Sequence, residues 1–312
     1  MKYQKSDFSP LADTKYGVGF HWTTWTAPKT GEMSSFEDAV DAFDVKRFTE
    51  QILECGAGHV LFPLSHAAQH MPCPNPVLDR MMPGRTCKRD LVMELADELD
   101  KHGIPIILYY NFSFHWDKEW AKIACPDKNN TADREKYISD VLEMIRYLGE
   151  HYGKKAIAFW FDMGFQEFEN FPFEEMTATA KAGNPNRLVT YNNSIEVYKA
   201  YTEYQDFWWG EGVRLNYVPR GGKVTPESGL PWYNFVDWHP DYMLEQRCGE
   251  WGVQMHTRDL EWPTPCVHSV NSFLKRFTDL GGAVTFNLFV WRDGEIFEED
   301  MKVMKELKSL VR

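Results

Sequence analysis

Two carboxylates in the sequence stand out by their settings. Asp162 follows six apolar residues, Ala156-Ile-Ala-Phe-Trp-Phe161, so a charge sits where a buried strand ends. Glu211 lies between Gly210 and Gly212, directly after Trp208 and Trp209. Two separated carboxylates with aromatic side chains nearby suit glycosyl chemistry. One attacks or stabilises the anomeric carbon, the other protonates the leaving oxygen, and flat rings hold the sugar. The competing roles are structural: a helix cap or ion pair for Asp162, and an ordinary loop position for Glu211. Glu245, Glu250 and Glu261 are rival acids in the same irregular stretch of chain. His21 and His66 close neighbouring apolar runs; each alone reads as a core histidine, and the two together point to hydroxyl recognition. Trp22, Ser65, Asn192 and Trp209 hold comparable strand-end positions. Of the adjacent Tyr109 and Tyr110, period-two alternation sends one to the core and one to the pocket, and Tyr110 is assigned to the pocket.

Other chemistries find no support in the residue pattern. The six cysteines form no C-x-x-C pair, and no H-x-H or H-E-x-x-H occurs, so no metal site is expected. There is no G-x-S-x-G elbow and no P-loop. Gly17-x-Gly19 runs into His21-Trp22 rather than a helix start, which excludes a dinucleotide fingerprint, and no cofactor is expected.

The elements that must carry these residues alternate. Apolar runs at Tyr16–Trp22, His59–Leu64, Pro105–Asn111, Ala156–Asp162, Leu188–Asn192, Phe207–Trp209 and Ala283–Phe289 predict strands. Helical spacing predicts helices over Val45–Cys55, Arg89–Lys101, Arg134–Tyr152, His268–Leu280 and Glu298–Leu310. The stretch Glu211–Trp262 is aperiodic and rich in Trp, Pro and Gly, and reads as long loops around short strands. Continuous apolar strands between amphipathic helices imply a parallel sheet covered by helices. A count approaching eight units favours an α/β fold of the (β/α)8 TIM-barrel type, in which strand C-terminal ends hold the chemistry.

Composition narrows the partners. The 312 residues carry 34 basic and 46 acidic side chains, a net charge of -12, so capture of nucleic acid or an anionic membrane is not expected. Aromatic residues make up 15% of the chain, which fits both a large core and a carbohydrate partner. No apolar run approaches the ~20 residues of a membrane span, and Met1-Lys-Tyr-Gln-Lys5 lacks the apolar segment of a leader. A reduced, cytoplasmic setting is therefore expected.

Assembled in order, these segments resemble the α-L-fucosidases of glycoside hydrolase family 29. Lys15-Tyr-Gly-Val-Gly-Phe-His21-Trp22 is similar to that family's opening KFGIFIHWG. Phe43–Phe48 with Cys55–Leu61, and Asp90-Leu91 through Leu108-Tyr-Tyr110, resemble its next two βα units. Phe159-Trp-Phe-Asp162 is similar to its lWfDg, and Gly281-Gly282 to Asn287 with Asp293-Gly294 resembles its GGNlLLNigP..DG. The resemblance implies one barrel domain over residues 1–312, without the family's usual C-terminal β-sandwich. It implies a retaining exo-glycosidase with Asp162 as nucleophile and His21 and His66 as sugar contacts. Trp209-Gly-Glu211-Gly is similar to the segment that carries the proton donor in one subgroup. Trp251-Gly252 resembles a landmark of another subgroup, and Trp251 is added to the expected sugar contacts. Two departures are plain: the family's Lys-His-His triplet reads Leu64-Ser65-His66, and its Asn-x-Arg reads Asn192-Asn193-Ser194. They leave open a sugar-binding barrel without chemistry, or a glycosidase acting on a sugar other than fucose.

Overall fold

The computed structural model describes residues 3–66, 68–114, 116–124, 131–165, 168, 170–192, 201–212, 232–237, 255, 265–279 and 281–312, with the backbone alone over 208–212 and 232–237. Eight strands form one sheet: β1 Tyr16–Gly19, β2 Val60–Ser65, β3 Ile106–Asn111, β4 Ala156–Asp162, β5 Leu188–Tyr191, β6 Trp208–Gly212, β7 Trp232–Asp237 and β8 Ala283–Asn287. Every pairing among them is parallel. The order is β5-β4-β3-β2-β1-β8-β7-β6, so the first strand lies between the second and the last. A doubly wound sheet reverses direction at a switch point; this order does not.

The helices in chain order are α1 Ser9–Ala12, α2 Phe36–Ala42, α3 Val45–Cys55, α4 Pro76–Met81, α5 Leu91–Asp100, α6 Lys118–Ala124, α7 Thr131–Tyr152, α8 Phe173–Ala180, α9 Val267–Thr278 and α10 Glu298–Val311. The long ones follow the predicted spacing, while the short α1, α2, α4, α6 and α8 span too few turns to show a period. Local chemistry sets several ends. Asp44 caps α3 by accepting from the Arg47 N–H, and Gly56 closes it at φ 67°. Asp90 caps α5 through the Met93 N–H, and Asn75 caps α4 through two N–H groups. One strand differs from expectation: β6 extends to Gly212, past the predicted Trp209, while β7 is a short strand inside the stretch read as long loops around short strands. Asn234 interrupts the apolar run of β7 and hides its strand character.

Alternation along the strands splits the core into two layers. Phe62, Leu108, Tyr110, Phe159 and Phe161 point outward, where they pack with helix residues such as Phe48, Leu95 and Ile145. Leu61, Ile107, Tyr109, Ala158, Trp160, Leu188 and Ala283 share the inner face. That inner cluster is completed at the strand starts by Phe8 and Leu11 of the N-terminal segment. Buried Asp206 anchors the same segment, accepting from the Tyr3 hydroxyl at 2.9 Å, the Ser6 N–H at 2.8 Å and the Val189 N–H at 2.9 Å. Lys181 neutralises it at 2.9 Å.

His59 stands beside this plug as a neutral ring. The Thr14 hydroxyl donates to the Leu11 carbonyl, so Nδ1–H of His59 donates to Thr14 Oγ1 at 2.7 Å. Nε2 then accepts from the Thr285 hydroxyl at 2.6 Å. Loss of hydration holds the imidazole down at about 3. The ring fits because β1 has no side chain at Gly17, where a Cβ would meet His59 at 2.2 Å. Gly17→Ala must displace the ring and break both bonds. We expect a loss of about 3 kcal/mol, read as a lowered midpoint in urea, and an unchanged midpoint would refute this account of the interior.

Candidate active site

The inner face runs out of apolar residues at the strand C-terminal ends. There the inward positions become Ser65 on β2, Asn111 on β3, Asp162 on β4 and Asn287 on β8, with His21 and Asn192 just beyond β1 and β5. The register carries one parity across the sheet: Asn111 pairs with Asp162, Trp160 with Thr190, and Gly19 with Asn287. Each of these polar residues is almost fully buried, at 7% exposure for Asp162 and 5% or less for the others.

Asp162 is held from both sides. On Oδ1 it accepts from Asn192 Nδ2 at 2.6 Å. On Oδ2 it accepts from the Tyr109 hydroxyl at 2.5 Å and Asn111 Nδ2 at 2.8 Å. The Met163 N–H adds a backbone donor. Burial raises its pKa above the ordinary carboxylate value, while the bonds from Tyr109, Asn192, Met163 and Asn111 pull the other way. A carboxylate in such a setting is poorly hydrated yet fixed in direction, which suits attack on, or stabilisation of, a developing positive carbon.

The histidines lie next to this cradle. The His21 and His66 rings meet edge to face at 4.7 Å, and each packs on Tyr109, at 5.4 and 5.8 Å. Burial lowers His21 to about 4. Its neutral ring donates Nδ1–H to Asn287 Oδ1 at 3.2 Å, so Nε2 carries no proton and can only accept. His66 is partly exposed and is also held well below the usual value, by lost hydration and by the neighbouring His21.

Several predicted contacts stand elsewhere. Tyr110 faces the helix layer against Phe112, and its hydroxyl has no hydrogen-bond partner among the described residues. Alternation holds, but with the two roles exchanged, and Tyr109 is the pocket residue. The sequence carried a signal for this: Tyr109 and Asn111 share the parity that β4 and β3 pairing gives Asp162. Trp22 is 1% exposed and packs with Phe36, Phe43 and Phe62 in the outer layer. β1 ends at Gly19, and Trp22 lies one residue past inward His21, on the opposite parity. Ser65 is inward, but its hydroxyl donates to Gln69 Oε1 at 3.1 Å. Trp209 and Glu211 are placed by backbone register. They pair with Tyr233 and Phe235, which pair with inward Ala283 and Thr285, so both have the inward parity. Their side chains, and all of Trp251, Glu245, Glu250 and Glu261, lie outside the described residues.

Among the described residues no three His, Cys, Asp or Glu side chains are grouped to hold a metal ion. Nor is any helix among them long and apolar enough to cross a membrane.

Compared with known proteins, residues 2–307 match the family model described as alpha-L-fucosidase. The fold is similar to an α-L-fucosidase of Lactobacillus casei solved with its α-L-fucose product, at 17% identity and TM-score 0.65, covering 97% of this chain and 98% of that one. It is also similar to a family 29 α-L-fucosidase of Bacteroides thetaiotaomicron, at 14% identity and TM-score 0.72, covering 99% and 74%. α-L-Fucosidase isoenzyme 1 of Paenibacillus thiaminolyticus matches at 19% identity and TM-score 0.68, covering 98% and 75%. No curated protein matches the sequence.

The histidine environment predicts a pH response. Native His21 stays neutral down to about 4, whereas the unfolded side chain takes up its proton near about 6.5. Its contribution to stability is therefore complete above about 6.5 and is lost as pH falls towards about 4. The check is the His21 ring proton shift in NMR, which should stay flat from about pH 8 to about pH 5.5. A midpoint near 6.5 would show a hydrated ring instead.

Proposed function

Because the chain belongs to the α-L-fucosidase family and is thus a glycoside hydrolase, we propose that it releases a terminal α-L-fucosyl residue from a carbohydrate with retention of configuration. The observation that carries this reading is the buried Asp162 carboxylate, oriented by Tyr109, Asn111 and Asn192 where the inner strand face turns polar. On this reading the eight strands close as a (β/α)8 barrel, with β5 and β6 meeting across the gap in the pairing order; some residues of the two strands already lie close together.

The chemistry proceeds by two displacements. Asn192 holds Oδ1 of Asp162 while Tyr109 and Asn111 hold Oδ2, so the carboxylate meets the anomeric carbon in one fixed orientation. As the Asp162 oxygen bonds to that carbon, the glycosidic C–O bond breaks, and the Glu211 carboxylic acid passes its proton to the leaving oxygen. Glu211, now a carboxylate, takes a proton from water. The water oxygen attacks the same carbon, the ester bond to Asp162 breaks, and α-L-fucose leaves. The inward register of Glu211 supports its role as the acid and base. Nε2 of His21, His66 and the Asn192 amide would meet the sugar hydroxyls, and Trp209 and Trp251 would supply ring faces.

The product anomer and variants of the two carboxylates test the reading. The first product anomer seen by NMR from an aryl α-L-fucoside should be the α-anomer; the β-anomer would overturn retention. Asp162→Asn should lower kcat by about 10³-fold or more, and Asp162→Gly with azide should yield β-L-fucosyl azide. Glu211→Gln should cost about 10²–10⁴-fold on substrates with poor leaving groups, and much less on 4-nitrophenyl fucoside, whose phenolate needs no proton. An Asp162→Asn enzyme with full activity would refute the nucleophile. Calorimetric affinity for fucose without turnover would mark a binding barrel. Turnover of a different glycoside from an aryl glycoside array would reassign the sugar.

A further inference from the structure

The end of β3 has a backbone problem that the Gln69 side chain chiefly solves. β2 pairs with β3 regularly as far as Pro63 opposite Tyr109; the register then slips, so that Ser65 faces Tyr110. The ladder does not continue to Asn111, whose carbonyl therefore lacks a strand N–H on that side. Gln69, fully buried, supplies the short donor, with Nε2 2.8 Å from the Asn111 carbonyl, while the Ser65 hydroxyl lies 3.5 Å from the same oxygen. The Asn111 carbonyl can only accept, so the amide has one permitted orientation, with Oε1 turned to accept from the Ser65 hydroxyl. The Gln69 backbone N–H donates to Asp117 at 3.1 Å, and Asp117 is locked by Arg85 at 2.7 and 3.3 Å and by the Trp120 N–H at 3.0 Å.

Asn111 is the residue so held, and its side chain has two fixed ends. Oδ1 accepts from the Ser113 N–H at 2.7 Å, and Nδ2 donates to Asp162 Oδ2. We propose that Gln69 is a positioning residue for the reaction: it replaces the missing strand donor, fixes the backbone of Asn111, and thereby aims Asn111 Nδ2 at the Asp162 carboxylate. This rests on Asp162 being the nucleophile. It also gives Ser65 a use other than sugar binding, since the hydroxyl is committed to Gln69. An ångström of freedom at Asn111 is costly, because a misplaced reacting group of that size can lower rate by about 10²-fold.

The test uses Gln69→Leu, which keeps the volume and removes both amide bonds, and Gln69→Met as a second variant should the first not fold. We expect kcat on an aryl fucoside to fall by about 10–100-fold with KM close to that of the parent, and the melting temperature to drop because the Asn111 carbonyl is left without its amide donor. The second readout is the Asp162 carboxyl, followed by ¹³C NMR. With a looser Asn111 donor it should titrate about half a pH unit higher. Among the described residues the titratable groups around Asp162 are Tyr109 on β3 and, packed on Tyr109, His21 and His66, and on the proposed reading Glu211 faces it; all are the same in the variants. A raised KM with unchanged kcat would make Gln69 a substrate contact and overturn the proposal, as would unchanged kinetics. If the parent turns over no fucoside, the functional reading fails on its own. The carboxyl titration still decides on Gln69, and an unmoved Asp162 would refute it.

Discussion

A carboxylate taken out of water loses several kcal/mol of hydration unless its oxygens find partners. Asp162 is in that position, and its partners come from three neighbouring strands: Tyr109 and Asn111 from β3, Asn192 beyond β5, and the Met163 N–H beyond its own β4. The demand propagates outward. The three strands must end at one level and share one parity, which parallel pairing in register provides. The aromatic packing follows as well, since Tyr109 donates correctly only while Trp160, His21 and His66 hold its ring. Neutral histidines complete the arrangement, because two cations here would compete with the amides for the same carboxylate.

Much of this was legible along the chain. Long helices declare themselves by spacing, and the apolar run ending at Asp162 locates both the strand and the charge. Period-two alternation was enough to state that one of Tyr109 and Tyr110 enters the pocket, but not which one. That choice follows from Asn111, which shares the parity of Tyr109 and which the β3–β4 register sets opposite Asp162. Trp22 misled for a related reason. His21 and Trp22 are adjacent, so a strand that ends sends them to opposite layers, and the indole goes to the outer core with Phe43 and Phe62. Gln69 was invisible because its function is to mend a ladder, and a slip in register between β2 and β3 leaves no mark in composition or spacing. The family resemblance placed Asp162 and the histidines, yet it could not supply the partners that make this carboxylate what it is.

The 15% aromatic share divides in the same way. Most of the described rings fill the layer between sheet and helices, where Phe112, Phe161, Phe165, Phe171, Phe173 and Tyr191 touch one another in a continuous cluster behind β4 and β5. That cluster stiffens the strands from outside, while Tyr109 and Trp160 brace the carboxylate from inside. A rich aromatic content thus serves geometry at least as much as it serves ligand contact.

The N-terminal plug bears on the order in which the molecule can assemble. Tyr3 and Ser6 bond to Asp206, some 200 residues later in the chain, and Phe8 packs on Phe207. β1 pairs with β8, which begins at Ala283. During synthesis the first dozen residues must wait for most of the chain before their binding surface exists, and the first strand waits longer still for one of its two neighbours. Such long-range closure carries a loop entropy that local contacts do not repay early, so folding is expected to be slow and its last steps to involve both ends of the chain together. The carboxylate at one end of the sheet is fixed in final form only when the seal at the other end has closed.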